Sequence, residues 1–409
     1  MHKRMIHTHI LSNGLQIIHR DAPSGVFHCG IVVNTGSRDE YPEEAGMAHF
    51  VEHMLFKGTG RRRAHHIAGR MESVGGELNA YTTKEETFFY ATFLGEYFSR
   101  AVELLADMLF HSEFSPQLID REREVILDEI NSYQDAPSEL IYDDFENLLF
   151  AGHDLGHYIL GMPETLQQFS REQILLFHRR QYQPSQMLFF STGRISFPKV
   201  VNLLEKYFSV SCPAVVVRNR VASPFRFQPR RELVHKNTSQ NHVMMGVPAY
   251  SMHHPRRYAL LLLNNLLGGD SLNSRLNAAL RERRGLVYHV ESNVTLYSDT
   301  GLFAVYFAGD PQQQERCIRL VRKEVNRLLE NELTARQLMV AKRQWKGQLG
   351  IAAEQVENYT LAMAKRFLHT GGYRPLDEVF ACIDSITAEE LCAVAQDLFA
   401  AEPLILSYQ

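Results

Sequence analysis

Residues 86–105, ETFFYATFLGEYFSRAVELL, begin with a run rich in aromatic residues and threonine and continue into a longer apolar–polar pattern. The first part is typical of a strand, and apolar residues spaced three and four apart in the second part predict an amphipathic helix. Residues 300–321, TGLFAVYFAGDPQQQERCIRLV, repeat this order a little over 200 residues later. A strand–helix unit that recurs at such a distance indicates two similar halves.

The repeat continues beyond these two segments. Residues 115–122, SPQLIDRE, match residues 334–341, TARQLMVA. We therefore expect an α+β fold of two homologous domains, each an antiparallel sheet with helices packed mainly on one side. A stretch rich in Pro, Arg and Ser separates the halves. The predicted division is an N-terminal domain over 1–211, a linker over 212–231 and a C-terminal domain over 232–409.

The composition narrows the classes of function. The chain has 409 residues, 45% of them hydrophobic and 22% charged, as in ordinary globular proteins. Its net charge of −4 gives no reason to expect nucleic acid or an anionic membrane as a partner. No apolar stretch approaches the roughly 18 residues of a membrane span, and the first residues lack the apolar core of a secretory signal. Five scattered cysteines without a CxxC pair fit a reduced compartment, so we expect a cytoplasmic protein.

Residues 46–58, GMAHFVEHMLFKG, place two histidines and a glutamate in an apolar segment. On a helix, His49, Glu52 and His53 share one face because they are three and four residues apart. Two such imidazoles can bind one zinc ion, and the carboxylate can act on water at the open position. This is the HExxH pattern in inverted order. The alternative is a core helix with satisfied polar groups, since HxxEH also arises by chance.

A catalytic zinc needs a third protein ligand. The amphipathic segment 121–130, REREVILDEI, offers Glu122 and Glu129, which are two helical turns apart and so share a face. Its apolar residues indicate that part of the helix is buried, and a buried carboxylate favours a cation nearby. The alternative is a solvated acidic helix face.

The second half of the chain serves as an internal control. The segment that matches GMAHFVEHMLFKG is YALLLLNNLLGG, which has neither His nor Glu. Ala341 and Gln348 stand where the first half has Glu122 and Glu129. Polar groups needed only for the fold would be expected in both copies. Their joint absence from the second copy favours a zinc site in the first.

HFVEH and the downstream EREVILDEI, in a chain of two homologous halves, resemble the pitrilysin family of zinc peptidases. That family includes insulin-degrading enzyme. The chain is similar to the family's small two-domain branch, which includes the beta subunit of the mitochondrial processing peptidase. The resemblance implies one Zn²⁺ per chain, held by His49, His53 and Glu129. It also implies that Glu52 is the general base and that Glu122 orients a ligand histidine.

The segment ELNAYTTKEET, residues 77–87, resembles the edge strand of the family's active site. A peptide can add to such an edge through backbone hydrogen bonds, which favours extended substrates. By this resemblance the substrate contacts are Asn79, Ala80 and Tyr81. The alternative is an ordinary sheet edge.

The segment RLNAALRERRGLVYHV, residues 275–290, resembles the family's Arg/Tyr segment. It implies that Arg281 and Tyr288 hold the substrate and stabilise the oxyanion of the tetrahedral intermediate. The alternative is a surface arginine and a tyrosine at the start of a strand. Chains of this branch assemble in pairs, and this chain carries both the zinc motif and the Arg/Tyr pair. We therefore expect a homodimer, or else a heterodimer with a related chain.

These features together predict a zinc metalloendopeptidase of the inverzincin type. It would hydrolyse extended or unfolded peptides with zinc-activated water and a glutamate base. The alternative is a non-enzymatic scaffold or a partner subunit of a peptidase complex, which the complete zinc set disfavours. A peptidase that matures one precursor peptide is a third interpretation, which the sequence does not separate from general peptide clearance.

Overall fold

The computed structural model describes residues 5–210, 220, 226–236 and 238–409. These residues form two compact units, each with its own sheet and hydrophobic core. The first unit takes its described residues from Met1–Asn131, His157–Val221 and Ala353–Tyr373. The second takes its described residues from Ser132–Gly156, Ala222–Ala352 and Arg374–Gln409.

The strands are numbered in chain order through both units. Those of the first unit are β1 (Ile6–Ile10), β2 (Gln16–Asp21), β3 (Val26–Val33), β4 (Glu77–Thr82), β5 (Thr87–Leu94) and β6 (Met187–Gly193). Those of the second are β7 (Arg231–Val234), β8 (Asn241–Ala249), β9 (Val287–Leu296), β10 (Gly301–Gly309) and β11 (Leu404–Tyr408).

The helices are numbered in the same way. In the first half of the chain they are α1 (Met47–Leu55), α2 (Ala64–Glu72), α3 (Phe98–His111), α4 (Pro116–Gln134), α5 (Pro137–Leu149), α6 (Pro163–Leu166), α7 (Arg171–Gln181) and α8 (Phe197–Phe208). In the second half they are α9 (Arg257–Gly268), α10 (Gln314–Glu330), α11 (Ala335–Ala352), α12 (Val356–Thr370), α13 (Leu376–Ser385) and α14 (Ala388–Phe399), with a π-helix at Asn277–Glu282.

The sheet of the first unit has the order β1-β2-β6-β3-β5-β4, and all its pairs are antiparallel except the parallel pair β2–β6. Alternate residues of a strand face opposite sides of the sheet, and both faces of this sheet are covered by buried residues. Ile31 and Phe89 face the larger core with Phe50 of α1. Val32 and Phe88 face a smaller core that contains residues of α12. Helices therefore cover mainly one face, and α12 covers part of the other.

The second unit repeats this plan with the order β7-β11-β8-β10-β9, in which only β7–β11 is parallel among the described residues. Met245 and Val305 face a core shared with α9, α10 and α14. Met244 and Tyr306 face the opposite core, where Phe145 of α5 packs. In the described part of the chain, each sheet thus has several helices on one face and one helix on the other.

The predicted α+β fold of two homologous domains is confirmed, with the refinement that each sheet contains one parallel pair. Residues 132–156 cluster with the second unit, and residues 353–373 cluster with the first. The two units therefore exchange a segment, whereas each predicted domain is one continuous range. The boundaries of 1–211 and 232–409 stay predictions. Most of the predicted linker, 212–231, lies outside the described residues.

Two features of the first unit place the candidate site. Strand β4 is an edge strand, and α1 and α2 both pack against it. Within the described part of the chain, no helix has the length and apolar character needed to cross a membrane.

Candidate metal centre

Helix α1 has a tightly fixed start. Gly46 adopts φ +95°, which favours glycine, and an added Cβ would come within 2.8 Å of the Leu160 carbonyl oxygen. The buried Glu40 carboxylate accepts hydrogen bonds from the backbone N–H groups of Gly46 at 2.9 Å and Ala48 at 2.7 Å. Because the first N–H groups of a helix lack intrahelical partners, this carboxylate stabilises the start of α1. Burial raises the pKa of Glu40 to about 7.

Two histidines of α1 and one glutamate of α4 meet at one point. Nε2 of His49 lies 3.9 Å from Oε1 of Glu129, and Nε2 of His53 lies 3.7 Å from Oε2 of the same carboxylate. One ligand atom from each residue lies within 4.8 Å of the other two. The histidines are neighbours because they are four residues apart on one helix. The structure therefore brings together all three residues that were predicted to bind zinc.

This donor set fits a zinc ion. Two imidazole nitrogens and a carboxylate are typical protein ligands of a catalytic zinc, which keeps a fourth position open. Ligands bound tetrahedrally at about 2.0–2.2 Å lie roughly 3.3–3.6 Å from one another. The nitrogen–oxygen separations of 3.7 and 3.9 Å are slightly wider. The side chain of Glu129 is 43% exposed, so it has room to move closer.

The charges around the two rings also favour a cation. Burial, and then the neighbouring His53, lower the pKa of His49 to about 3, so this ring is neutral at pH 7 and can offer a lone pair. Burial opposes a rise in the pKa of His53, but its hydrogen bond with Glu122 and the charges of Glu52, Glu122 and Glu129 outweigh burial and raise it. Three carboxylates thus surround two imidazoles.

Glu122 holds the second histidine in place. Its Oε1 lies 2.8 Å from Nδ1 of His53, and its Oε2 lies 2.7 Å from Nζ of Lys57. The Glu122 side chain is buried, which alone raises its pKa, but the bonds with His53 and Lys57 outweigh burial and lower it. A carboxylate on Nδ1 leaves Nε2 of His53 directed at Glu129, which is how outer-shell groups orient ligating histidines.

Glu52 lies on the same helix face and is buried. Thr82, the last residue of edge strand β4, donates a 2.7 Å hydrogen bond to its Oε2. No other described residue hydrogen-bonds Glu52, so its Oε1 is available to a water or a substrate. Burial raises the pKa of Glu52 above its usual range, with the Thr82 hydrogen bond opposing the rise. A raised pKa suits a carboxylate that accepts a proton near neutral pH.

The three predicted substrate contacts lie on β4. Leu78 and Ala80 pack toward the larger core, on the side of α1, whereas the Tyr81 ring stacks on Phe88 at 4.8 Å. Asn79 is exposed. Only one side of β4 is paired in the sheet, with β5. Its position at the edge is compatible with strand addition, and its role with substrate stays a prediction.

Arg281 and Tyr288 belong to the second unit, whereas the cluster of histidines and glutamates belongs to the first. Arg281 lies in the π-helix, and Tyr288 lies on edge strand β9 with 71% of its surface exposed. Both side chains are exposed. Their predicted role in oxyanion stabilisation stays a prediction.

The described residues contain one further cluster with metal-ligating groups, formed by Glu85, Glu86 and His369. Its carboxylates already have cationic partners. Arg38 binds Glu85 at 2.6 Å, and Lys365 lies 3.1 Å from Glu86. We therefore interpret this cluster as a buried ion-pair network rather than a metal centre.

Three contributors to the site were missed from the sequence: Glu40, Lys57 and Thr82. Lys57 lies just beyond the end of α1 and four residues after His53, so its position near the metal centre could have been predicted. The contact between Thr82 and Glu52 joins a strand to a helix 30 residues away, and no local pattern signals it. Glu40 lies outside the helix that it caps, and it is buried without an apolar pattern around it.

Known family models match both halves of the chain. Residues 16–162 match the family described as Insulinase (Peptidase family M16), and residues 168–345 match the Peptidase M16 inactive domain. The first match contains the whole histidine–glutamate cluster. The second match contains the segment YALLLLNNLLGG, which aligns with the zinc motif but has neither His nor Glu.

Full-length relatives give the same assignment. The chain is 33% identical to the uncharacterized zinc protease YmxG of Bacillus subtilis, over 97% of this chain and 96% of the relative. It is also 33% identical to an uncharacterized zinc protease of Streptomyces coelicolor, over 96% of this chain and 87% of the relative. A protease from Helicobacter pylori shares the fold, with a TM-score of 0.93 at 22% identity over 99% of this chain and 100% of that one. The relatives' names indicate a zinc-dependent protease, and the chain belongs to the insulinase family of peptidases, peptidase family M16.

Proposed function

We propose that the chain is a zinc metalloendopeptidase of the inverzincin type with one Zn²⁺ per chain. His49, His53 and Glu129 would hold the ion. The observation that carries the proposal is the convergence of both Nε2 atoms on the Glu129 carboxylate, at 3.7 and 3.9 Å. Beside them lies the buried Glu52, one oxygen of which has no hydrogen-bond partner among the described residues.

The catalytic steps fall to the protein's own side chains. When bound, zinc supplies Lewis acidity, which polarises a carbonyl and lowers the pKa of water. Oε1 of Glu52 accepts a proton from the attacking water, while Thr82 holds Oε2 and fixes the carboxylate. Glu52 then gives the proton to the leaving amine nitrogen. Glu122 keeps Nδ1 of His53 engaged, so that Nε2 stays directed at the centre.

Strand β4 supplies the proposed substrate platform. An extended peptide can pair with the outer edge of β4 along Asn79, Ala80 and Tyr81, where alternate residues direct their backbone groups away from β5. Thr82 continues this strand and binds Glu52, so a peptide on the edge would pass close to the base. Backbone pairing requires an extended chain, which favours unfolded peptides over folded proteins.

We propose further that Arg281 and Tyr288 bind substrate and stabilise the oxyanion, in the same chain or across a homodimer. Mixing an Arg281→Ala chain with a Glu52→Gln chain tests sharing between chains. Recovery of activity in the mixture supports it, and a mixture as inactive as both parents contradicts it. The cytoplasmic compartment and the homodimer stay predictions of the sequence.

The direct test of the function is hydrolysis of a diverse peptide library by zinc-supplemented protein. We expect cleavage that a chelator abolishes and added zinc restores, and no cleavage by Glu52→Gln. Wild-type protein that binds no zinc and cleaves nothing would favour a non-enzymatic scaffold instead.

A further inference from the structure

A cavity of about 720 Å³ lies in the first unit, and its lining includes Met54 and Lys57, which follow His53 in the chain. It is formed by the end of α1, the loop that leads into α2, and the start of α4. Its lining is strongly basic, with Lys57, Arg61, Arg62, Arg63 and Arg121. Of these residues only Lys57 has a part in the metal centre described above, as the partner of Glu122. We propose that the cavity is a subsite for a carboxylate of the peptide substrate, which gives the enzyme a preference for acidic peptides.

The basic groups fall into two classes. Lys57 is engaged by Glu122, and Arg62 is engaged by Glu103 and Asp107 at 2.8 and 2.5 Å. These two cations are neutralised by the protein and serve its structure.

The remaining three arginines are different. Arg61, Arg63 and Arg121 line the cavity and are exposed, and none of them forms an ion pair with a described residue. Glu113 is the sole acidic residue among the described residues that line the cavity. The cavity therefore presents three guanidinium groups against one carboxylate, although the chain as a whole carries a net charge of −4.

The cavity connects to the metal centre through Lys57 and Glu122. Met54, the residue after His53, lines it. Lys57 also lines it and connects through Glu122 to Nδ1 of His53 by contacts of 2.7 and 2.8 Å. Because an extended peptide advances about 3.3 Å per residue, a side chain a few residues from the scissile bond can reach this position.

The chemistry of the lining selects the ligand. Guanidinium groups bind carboxylates with two parallel hydrogen bonds, and a cluster of like charges in a cleft raises the local concentration of anions. A neighbouring cavity of about 650 Å³ shares Arg61 and Arg62 with the first. It adds Arg70, Arg100 and Lys206 together with the carboxylates of Glu96 and Glu103, so its lining carries a net positive charge. An acidic peptide is thus favoured over a basic one on this side of the centre.

This inference rests on the proposed function, because the carboxylate is that of a peptide substrate. Its test is a neutral decapeptide in which one Glu is moved along the sequence, compared with Gln at the same position. We expect kcat/KM to rise about fivefold for Glu at one or two adjacent positions, and to fall back at high salt.

Free and amidated C-termini distinguish a side-chain carboxylate from a terminal one. An equal effect at every position would indicate general attraction and would overturn the subsite.

The matched variants are Arg61→Gln/Arg121→Gln and Arg194→Gln/Lys199→Gln. Arg194 and Lys199 are exposed residues of the first unit away from the cavity, and both pairs change the net charge equally. We expect the first pair to lose the preference for Glu while it still cleaves the Gln peptide. The second pair keeps the preference. Retention by both pairs overturns the proposal.

A binding measurement separates this inference from the proposed function. Titration of zinc-loaded Glu52→Gln with the Glu and Gln peptides should show the same preference in Kd. If this variant prefers the Glu peptide while wild-type protein cleaves neither, the cavity stands as a binding site for a peptide carboxylate and the peptidase proposal falls. If wild-type protein cleaves both peptides equally and Kd does not differ, the peptidase proposal stands and the subsite falls.

Discussion

The hydroxyl of Thr82 donates a 2.7 Å hydrogen bond to Oε2 of Glu52. This bond ties the end of the edge strand to the proposed base, so that the platform for the substrate and the group that moves the proton keep a fixed relation. It also leaves the other carboxylate oxygen free for the reaction. Holding the proton acceptor in position lowers the free energy of the transition state more than that of the enzyme–substrate complex.

Thr82→Val removes the hydroxyl and keeps the shape of the side chain. We expect kcat to fall about tenfold, which corresponds to roughly 1.4 kcal/mol, because Glu52 loses its one hydrogen-bond partner among the described residues. Zinc content should not change, since Thr82 binds no ligand residue. Thr82→Ser is the matched control and should retain most of the activity. Equal kcat for Val and wild type would show that the bond does not position the base.

The bond between Lys57 and Glu122 predicts an effect on zinc affinity. In Lys57→Met the buried carboxylate of Glu122 loses its cation and holds His53 less firmly. We expect zinc affinity to fall about tenfold, at the lower end of effects seen for outer-shell partners. Competition with a chromophoric chelator measures it, and Lys57→Arg should recover most of the affinity. Unchanged affinity in the methionine variant would contradict this role.

The cap on α1 predicts a linked loss of stability and metal binding. Glu40→Ala leaves the N–H groups of Gly46 and Ala48 without their acceptor. We expect the free energy of unfolding to fall by about 1–2 kcal/mol, as for other lost helix caps, and zinc binding to weaken with it. Glu40→Gln retains one acceptor and should lie between. Denaturant unfolding with and without zinc tests both effects, and a stable alanine variant with normal zinc affinity would argue against them.

How far the sequence predicts this site depends on the kind of contact. His49, Glu52 and His53 share a face because of helical spacing, and the two-turn spacing of Glu122 and Glu129 predicts a common helix face. Those relations are local and periodic, so the residues alone indicate them. The apolar residues of segment 121–130 also suggest that Val125 is buried. Val125 is nevertheless 49% exposed, because one face of the helix meets solvent.

Contacts between elements could not be predicted in this way. An amphipathic pattern shows that α5 and α12 have buried faces, but not which sheet each one covers. The guanidinium–carboxylate bond between Arg38 and Glu85 joins positions 47 residues apart without a sequence signal. The repeat predicts that two similar domains exist, and their exchanged segments become visible only in three dimensions.

The buried Glu86 predicts how stability depends on pH. Burial opposes its ionisation, but His369, Lys365 and Thr83 outweigh burial and lower the pKa of Glu86 to about 2. Its folded pKa lies below the ordinary 4.5. Its ionised form therefore stabilises the protein above about pH 4.5, and that stability is lost as the pH falls toward 2.

Glu86→Gln should be less stable than wild type at pH 7, and its stability should fall less steeply between pH 4.5 and pH 2. Denaturant unfolding across this range measures both. Glu72→Gln, at an exposed position of α2, is the control and should follow the wild-type curve. A Glu86→Gln curve parallel to wild type over this range would contradict the lowered pKa.

In the proposed mechanism Glu129 holds the metal while Glu52 moves the proton. Zinc content and peptide turnover of Glu129→Gln and Glu52→Gln, measured side by side, separate these two roles. We predict that Glu129→Gln loses zinc and turnover together, whereas Glu52→Gln keeps its zinc and loses turnover by about a hundredfold or more. Full zinc content in Glu129→Gln, or substantial turnover by Glu52→Gln, would contradict the assignment.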